Sequence, residues 1–389
     1  MTHFFRNFFC IMVVWTSVIE AAPETIDVLM VAYDMGDTGP LKQVMQQFDQ
    51  QKISYRVVAV GKASEELKDY PTLLNLEDFP NNDLKAWSRE KLFDGNIIKK
   101  LQEKVSPKIV ITGMASAVQA QLINGFKSQG SYTMAFYDNF DPIIDKEYVQ
   151  PFLKEIQAVD AYLIPAQPTL ESFKVHEKTK GAQLKVVGQP ALQVWDEIFK
   201  DTDRKALREA LGLNDQDQVV LFVGGYDTTY QDFFACFVEG AKNFEAHPNI
   251  KFFVTYHPKT EGELEKQIIQ EKKATNIHVI EKTGPSTQQM ATLANVIVCH
   301  KSNVGMQALY KRIPVIYLVK KGDYSNFALD QGLAKQVETS TDFVQTLALT
   351  LKAANQNNAD FSQKMGIPEN ATQTIVDCVK EALSKKKAA

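Results

Sequence analysis

Short, continuous runs of apolar residues recur along this chain of 389 residues, and they constrain its fold more than any other feature. The first run, VLMVA (28–32), is followed by a loop and by a helical pattern that includes Leu41, Val44 and Phe48. Such a run is typical of a strand that is covered on both faces, as in parallel sheets. Similar runs lie within 55–61, 107–123, 132–139, 158–166 and 184–190. Strands that alternate with helices predict a doubly wound α/β domain.

The same pattern starts again in the second half of the chain. VLMVAYD (28–34) and VLFVGGYD (220–227) both consist of an apolar run, a turn and Tyr-Asp. Later apolar runs lie at 250–258, 277–282, 294–299 and 313–319. We therefore predict an α/β fold with two Rossmann-like, doubly wound parallel-sheet domains and an interdomain cleft. The length of the chain is sufficient for two domains. The predicted boundaries are 23–195, 196–365 and, for a terminal helix that packs on either domain, 366–389.

The N-terminal segment differs from the rest. Residues 1–22 contain Arg6, an apolar stretch from Phe8 to Val14, and Ala21-Ala22 before Pro23. This order is typical of a secretory signal peptide and predicts cleavage near Ala21 or Ala22. The alternative is an uncleaved membrane anchor, for which the stretch is short. We expect a secreted or periplasmic protein that has no membrane contact after cleavage.

Composition excludes several functional classes. The net charge is -4 and the isoelectric point is about 6.0, which argues against a nucleic-acid partner. The chain has four cysteines, of which Cys10 lies in the predicted signal, so three remain in the mature chain. No disulfide framework and no zinc-ligand spacing follow from them. We predict no metal and no bound cofactor, and the sequence leaves protein partners open.

Two polar loops of the second half follow predicted strands. Gly224, Gly225 and Asp227 follow the first strand, and His257 follows the next one. In open α/β sheets, ligands bind beyond the carboxyl ends of the strands. Glycines allow a ligand to approach the backbone, and His can bind a phosphate oxygen. The alternative is an ordinary tight turn and a structural His.

A third polar loop, His300-Lys301-Ser302-Asn303, follows the strand ANVIVC (294–299). We expect Ser302 to cap a helix that begins near Asn303, whose free amides favour an anion. Capping alone explains Ser302 but not its three polar neighbours. Because the three loops lie at one edge of one sheet, they predict a site for an anionic ligand, such as a nucleotide phosphate.

These motifs resemble the GT-B superfamily, which includes two-domain glycosyltransferases and the UDP-N-acetylglucosamine 2-epimerases. The resemblance covers residues 185–335 and is only architectural for the first half. The stretches that carry it are VVGQPALQVWDEI, VVLFVGGYD, YHPK and HKSNVGMQALYKRIPVIYL. It implies a nucleotide or sugar ligand, such as a UDP- or CMP-sugar donor. Many members have a Glu that binds the ribose at the position of Gln307. The resemblance therefore implies that Gln307 takes this role, and here the chain departs from the family pattern. The glycine that usually precedes Lys-Pro is absent as well.

A transferase needs a base for the acceptor hydroxyl. The candidates are Asp34, Asp37, Asp138 and Asp141, of which Asp34 and Asp138 each follow a predicted strand. A raised pKa would suit a base that works near neutral pH. The alternative is that these are ordinary turn and capping residues.

Export conflicts with this chemistry, because sugar nucleotides are cytosolic. We therefore expect a glycosyltransferase or epimerase that acts as a secreted effector. The alternatives are an enzyme that uses a lipid- or phosphate-linked substrate outside the cell, a GT-B fold that has lost catalysis, and a solute-binding protein with two Rossmann-like lobes. Connectivity separates them, because a solute-binding chain passes between its lobes two or three times.

Overall fold

A computed structural model describes residues 22–74, 84–141, 146–225, 227–257, 260–353 and 361–388. The predicted signal peptide, apart from Ala22, lies outside these residues, and its cleavage stays a prediction. Among the helices that the structure describes, none is both long and apolar enough to cross a bilayer.

The first domain is built on a sheet of six parallel strands. They are β1 (Glu24–Ala32), β2 (Tyr55–Ala59), β3 (Val105–Thr112), β4 (Tyr132–Phe136), β5 (Ala161–Ile164) and β6 (Gln183–Val186). Their spatial order is β2-β1-β3-β4-β5-β6. The helices between them are α1 (Met35–Gln51), α2 (Ala63–Glu66), α3 (Gly95–Lys104), α4 (Ala117–Lys127), α5 (Gln150–Glu155) and α6 (Gln167–Val175). The strand order reverses between β1 and β3, which is where ligands bind in such sheets.

The second domain has another sheet of six parallel strands. They are β7 (Gln218–Val223), β8 (Ile250–Thr255), β9 (Ile277–Val279), β10 (Ala294–Cys299), β11 (Val315–Leu318) and β12 (Lys335–Val337), in the order β12-β11-β10-β7-β8-β9. The helices that precede, connect and follow them are α7 (Pro190–Asp201), α8 (Arg204–Ala210), α9 (Tyr230–Lys242), α10 (Glu263–Glu271), α11 (Thr287–Ala291), α12 (Val304–Tyr310), α13 (Phe327–Asp330), α14 (Ser340–Ala353) and α15 (Phe361–Met365). The order reverses between β7 and β10. The prediction of two Rossmann-like parallel-sheet domains is confirmed.

The apolar runs are explained by helices on both faces of each sheet. In β1, Leu29 and Val31 contribute to the core on one face, whereas Val28, Met30 and Ala32 contribute to the core on the other. Successive side chains of a strand point to opposite faces, so a strand buried on both faces must be apolar throughout. All five side chains are at most 1% exposed.

The chain passes from the first sheet to the second once, after β6, and a last helix returns. This helix, α16 (Ala371–Ala388), buries Ile375 and Val379 in the core of the first sheet. At the crossing, a Cβ on Gly188 would lie 2.8 Å from the Cβ of Ala371, so only glycine allows this approach. Because each sheet takes its six strands from one continuous half of the chain, the connectivity differs from the repeated crossings of a solute-binding protein.

Candidate functional site

Three loops of the second domain converge beyond the carboxyl ends of β7, β8 and β10. They line a cavity of about 390 Å³ at the point where the strand order reverses. All nine of the predicted binding residues contribute to its wall: Gly224, Gly225, Asp227, His257, His300, Lys301, Ser302, Asn303 and Gln307. Val304 is the tenth lining residue. The structure thus brings together residues that are up to 83 positions apart in the sequence and places them where open α/β sheets bind ligands.

The two glycines after β7 lie where neighbouring atoms leave no room for a side chain. A Cβ on Gly224 would lie 2.7 Å from the Cα of Tyr256 and 2.9 Å from the carbonyl oxygen of Thr255. A Cβ on Gly225 would lie 2.9 Å from the ring of Tyr230. Gly224 is therefore required for backbone packing between the ends of β7 and β8, and both residues leave their backbone accessible to a ligand.

His300 is buried, at 1% exposure, and its ring is held by Leu318, Asp227, Thr229 and Phe233. Its Nδ1 lies 2.6 Å from the carbonyl oxygen of Leu318, which can only accept, so Nδ1 carries a proton. Its Nε2 lies 3.1 Å from Asp227 Oδ2, and the ring stacks on Phe233 at 5.0 Å. Nε2 donates to Asp227 only when the ring holds a second proton, and the ring then adds a positive charge beside the cavity.

Asp227 and Lys301 form an ion pair at the cavity wall. Lys301 Nζ lies 3.7 Å from Asp227 Oδ2 and donates to Thr229 Oγ1 at 3.3 Å. Burial by itself would raise the pKa of Asp227, but the hydrogen bonds from Thr229 and the charges of His300 and Lys301 lower it overall. Lys301 has a φ of 27°, an uncommon backbone conformation for a residue with a side chain. Such strained positions cluster at functional sites.

The helix after this loop begins near Asn303, as the sequence predicted, but its N-cap is not Ser302. α12 begins at Val304, and Asn303 occupies the N-cap position without a side-chain capping bond. Ser302 Oγ still accepts a hydrogen bond from the Val304 amide at 3.2 Å. Ser302 therefore bonds to the first turn of the helix as expected, although Asn303 occupies the N-cap position.

A second cavity, of about 720 Å³, lies against the first domain. Its wall is formed by Tyr33, Asp34, Met35, Gly36, Gly61, Lys62, Lys85, Ala86, Trp87 and Arg89, together with His257 of the second domain. His257 lines both cavities, so the two lie on either side of this residue, between the domains. The predicted interdomain cleft thus consists of these two cavities, with His257 between them.

Asp34 is the candidate base that lines this cavity. It is the N-cap of α1: its Oδ1 accepts a hydrogen bond from the Gly36 amide at 3.0 Å. Its Oδ2 forms an ion pair of 2.6 Å with Arg89, whose guanidinium also donates to the carbonyl oxygen of Ala115. Both partners are partly exposed. Asp34 thus combines a capping role with a position at the cleft.

Asp37 lies deeper and is 1% exposed. Its oxygens accept hydrogen bonds from the backbone amides of Tyr33 and Asp34 and from Gln119 Nε2. Burial raises the pKa of Asp37 well above its ordinary value, and the charge of Asp34 raises it further. With these partners Asp37 connects β1 to the first turn of α1, and it is not among the residues that line the cavity.

Asp138 follows β4 and lies against the start of α1. A Cβ on Gly36 would clash with its carboxylate, so this glycine permits the approach. Tyr148 donates to Asp138 Oδ1 at 3.2 Å. Burial raises the pKa of Asp138 to about 6, and the charge of Asp34 contributes to the rise. Asp141, the fourth carboxylate, is 7% exposed and pairs with Lys146.

Three polar residues of this cluster were not singled out in the sequence: Arg89, Gln119 and Tyr148. Arg89 lies 55 positions from Asp34, and Gln119 lies 82 positions from Asp37. Neither residue directly follows an apolar run, so no local pattern marks it. Among the described residues, no group of three or more His, Cys, Asp or Glu side chains is arranged to hold a metal ion.

Comparison with known proteins gives a match at the level of structure. No known protein-family profile and no curated protein sequence matches the chain. UDP-GlcNAc 2-epimerase from Neisseria meningitidis, bound to UDP-GlcNAc, superposes with a TM-score of 0.64 and 16% identity, over 92% of this chain and 100% of that one. S. aureus MnaA in complex with UDP superposes with a TM-score of 0.66 and 10% identity, over 92% of this chain and 97% of that one. MurG from Acinetobacter baumannii superposes with a TM-score of 0.57 and 16% identity, over 92% of this chain and 100% of that one. The chain therefore has the two-domain GT-B-like fold.

Proposed function

We propose that this protein binds a nucleotide sugar, such as a UDP- or CMP-sugar, between its two domains and acts on it as a glycosyltransferase or an epimerase. The observation that carries the proposal is the convergence of three strand-end loops on one cavity in the second domain. Two structural neighbours lend support, because one holds UDP-GlcNAc and the other holds UDP.

The chemistry of the second-domain cavity suits a diphosphate. Lys301 supplies a cation, and the backbone at Gly224 and Gly225 is open to close approach. Asp227 holds Lys301 at 3.7 Å, and an entering phosphate oxygen replaces that carboxylate as the partner of the ammonium group. The side-chain amide of Gln307, on the same wall, offers a hydrogen bond to a sugar hydroxyl.

The sugar end of the ligand would face the first-domain cavity, past His257. Of the three carboxylates Asp34, Asp37 and Asp138, Asp34 lines that cavity, and we assign it the role of the base for the acceptor hydroxyl. Asp138 has the pKa better suited to a base near neutral pH, but its carboxylate lies behind Gly36 and is not part of the cavity wall.

Calorimetric titration with UDP, CMP and their sugars tests the proposal. We expect one nucleotide to bind and Lys301→Gln to weaken it roughly tenfold, the usual scale for loss of one charge-assisted hydrogen bond. Lys320→Gln removes an exposed lysine of the same domain outside the cavity and should leave the affinity unchanged. If no nucleotide binds the wild-type protein, the proposal is wrong. Binding without turnover of any nucleotide sugar would identify a GT-B fold that has lost catalysis.

We also propose that the protein is exported and acts outside the cell that makes it, as a secreted effector. The support is the sequence pattern of residues 1–22 alone. Mass measurement of the protein recovered after expression with its own N-terminus tests this. We expect a mature chain that begins at Ala22 or Pro23, and a chain of full length would contradict export by cleavage.

A further inference from the structure

The side chains that line the first-domain cavity carry more positive than negative charges. Three cationic side chains, Lys62, Lys85 and Arg89, line it together with a single carboxylate, Asp34. Two of the cations already have acidic partners: Arg89 pairs with Asp34 at 2.6 Å, and Lys85 pairs with Glu65 at 2.7 Å. For the Lys62 ammonium group, the described part of the chain provides no hydrogen bond and no ion pair. Lys62 therefore leaves an uncompensated positive charge at the cavity wall.

The position of Lys62 is fixed by the backbone on both sides of it. Gly61 has a φ of 63°, and a Cβ there would lie 2.7 Å from the carbonyl oxygen of Tyr33. The Gly61 amide donates to the carbonyl oxygen of Leu84 at 2.7 Å, and the Ala63 amide donates to that of Tyr33 at 3.2 Å. These two anchors fix the backbone of Lys62 beside the cavity, and its exposed side chain extends from there.

The remaining wall suits the body of a sugar. Tyr33 and Trp87 are joined by a hydrogen bond of 2.5 Å from the Tyr33 hydroxyl to the Trp87 carbonyl oxygen. Both side chains are largely buried, so their position is set before any ligand enters. Pockets for small molecules typically combine such apolar and aromatic walls with a few placed polar groups.

From these features we propose that the first-domain cavity binds a sugar that carries an anionic group, a phosphate or a carboxylate, and that Lys62 is the residue that selects for that charge. The proposal rests on the proposed function, since it identifies the class of the second ligand in the same cleft. A phosphate or carboxylate oxygen would form a charge-assisted hydrogen bond with the Lys62 ammonium group. A neutral sugar of the same size lacks that bond.

Binding of matched probes tests the inference: glucose 6-phosphate, glucuronate and glucose, each titrated with and without saturating UDP. We expect the wild-type protein to bind at least one anionic probe roughly tenfold more tightly than glucose, and Lys62→Gln to remove most of this preference. Lys68→Gln, an exposed lysine of the same domain outside the cavity, should keep it. The preference should also weaken between low and high salt, because the charge is screened.

The anionic probes separate the two sources of charge, since binding of glucose 6-phosphate alone selects a phosphate and binding of glucuronate alone selects a carboxylate. Equal binding of all three probes, or a preference that Lys62→Gln leaves intact, overturns the inference. Absence of UDP binding would instead contradict the proposed nucleotide site. In that case the titrations without UDP still decide whether the cavity prefers anions.

Discussion

At the scale of single residues, the carboxylates around the start of α1 differ in their surroundings more than in their chemistry. Asp34 is partly exposed and paired with Arg89, whereas Asp37 is buried among backbone amides. The sequence could place Asp34 and Asp138 at strand ends because each follows an apolar run. It could not show that Arg89 meets Asp34, because that pairing depends on the fold of the whole domain.

Asp138 leads to a prediction for stability against pH. Burial raises its pKa from an ordinary 3.8 to about 6. Between about pH 4 and pH 6 the folded chain therefore keeps a proton that the unfolded chain releases, so the free energy of unfolding should fall as the pH rises through this window. Asp138→Asn should make that fall shallower. Urea unfolding at pH 4 to 7 checks this, and an unchanged slope in the variant would show that Asp138 does not titrate there. Asp37, whose pKa is also raised, adds a slope of the same sign in both proteins.

At the scale of secondary-structure elements, the long apolar strands were predictable and the short edge strand was not. β1 and β10 are buried on both faces, which leaves a continuous apolar run in the sequence. β12 is three residues long, and only Val337 of its residues is apolar and buried. An edge strand of this length has no pattern of its own, and its pairing with β11 defines it.

The approach of the ends of β7 and β8 gives a second prediction, for Gly224→Ala. The added Cβ would lie 2.7 Å from a backbone atom of Tyr256, which cannot rotate away, so we expect a loss of about 1–3 kcal/mol in the free energy of unfolding. Gly39→Ala, inside α1 with open space around its Cβ, should change stability by less than about 1 kcal/mol, because the helical preference of alanine is opposed by the restriction that Pro40 places on the residue before it. Urea unfolding of both variants measures the difference. Equal stability of the two variants would mean that the β7–β8 contact relaxes at no cost.

At the scale of the whole molecule, the two halves have similar architecture but unequal roles. The second domain brings nine predicted polar and glycine residues to one cavity, and the first contributes the charged cavity on the other side of His257. The motifs that resemble GT-B proteins all lie in or next to the second domain. Apart from Asp34 and His257, the residues that line the first-domain cavity were not predicted, because they come from loops after β1 and β2 and from residues 85–89, which share no motif.

The returning helix α16 allows the contribution of each domain to be separated. Ile375 is 1% exposed and packs in the core of the first sheet, so Ile375→Ala should cost about 2–5 kcal/mol through the cavity that it leaves. Leu349→Ala, on α14 and 69% exposed, should change stability by no more than about 0.5 kcal/mol. We expect amide hydrogen exchange in Ile375→Ala to rise in β1 and β3 and to stay unchanged in β7 and β10, since Ile375 packs in the core of the first sheet. UDP affinity should then persist, because the proposed phosphate site lies in the second domain. An equal rise of exchange in both sheets would show that the two domains open as one unit, and in that case α16 would stabilise the cleft as a whole and not the first domain alone.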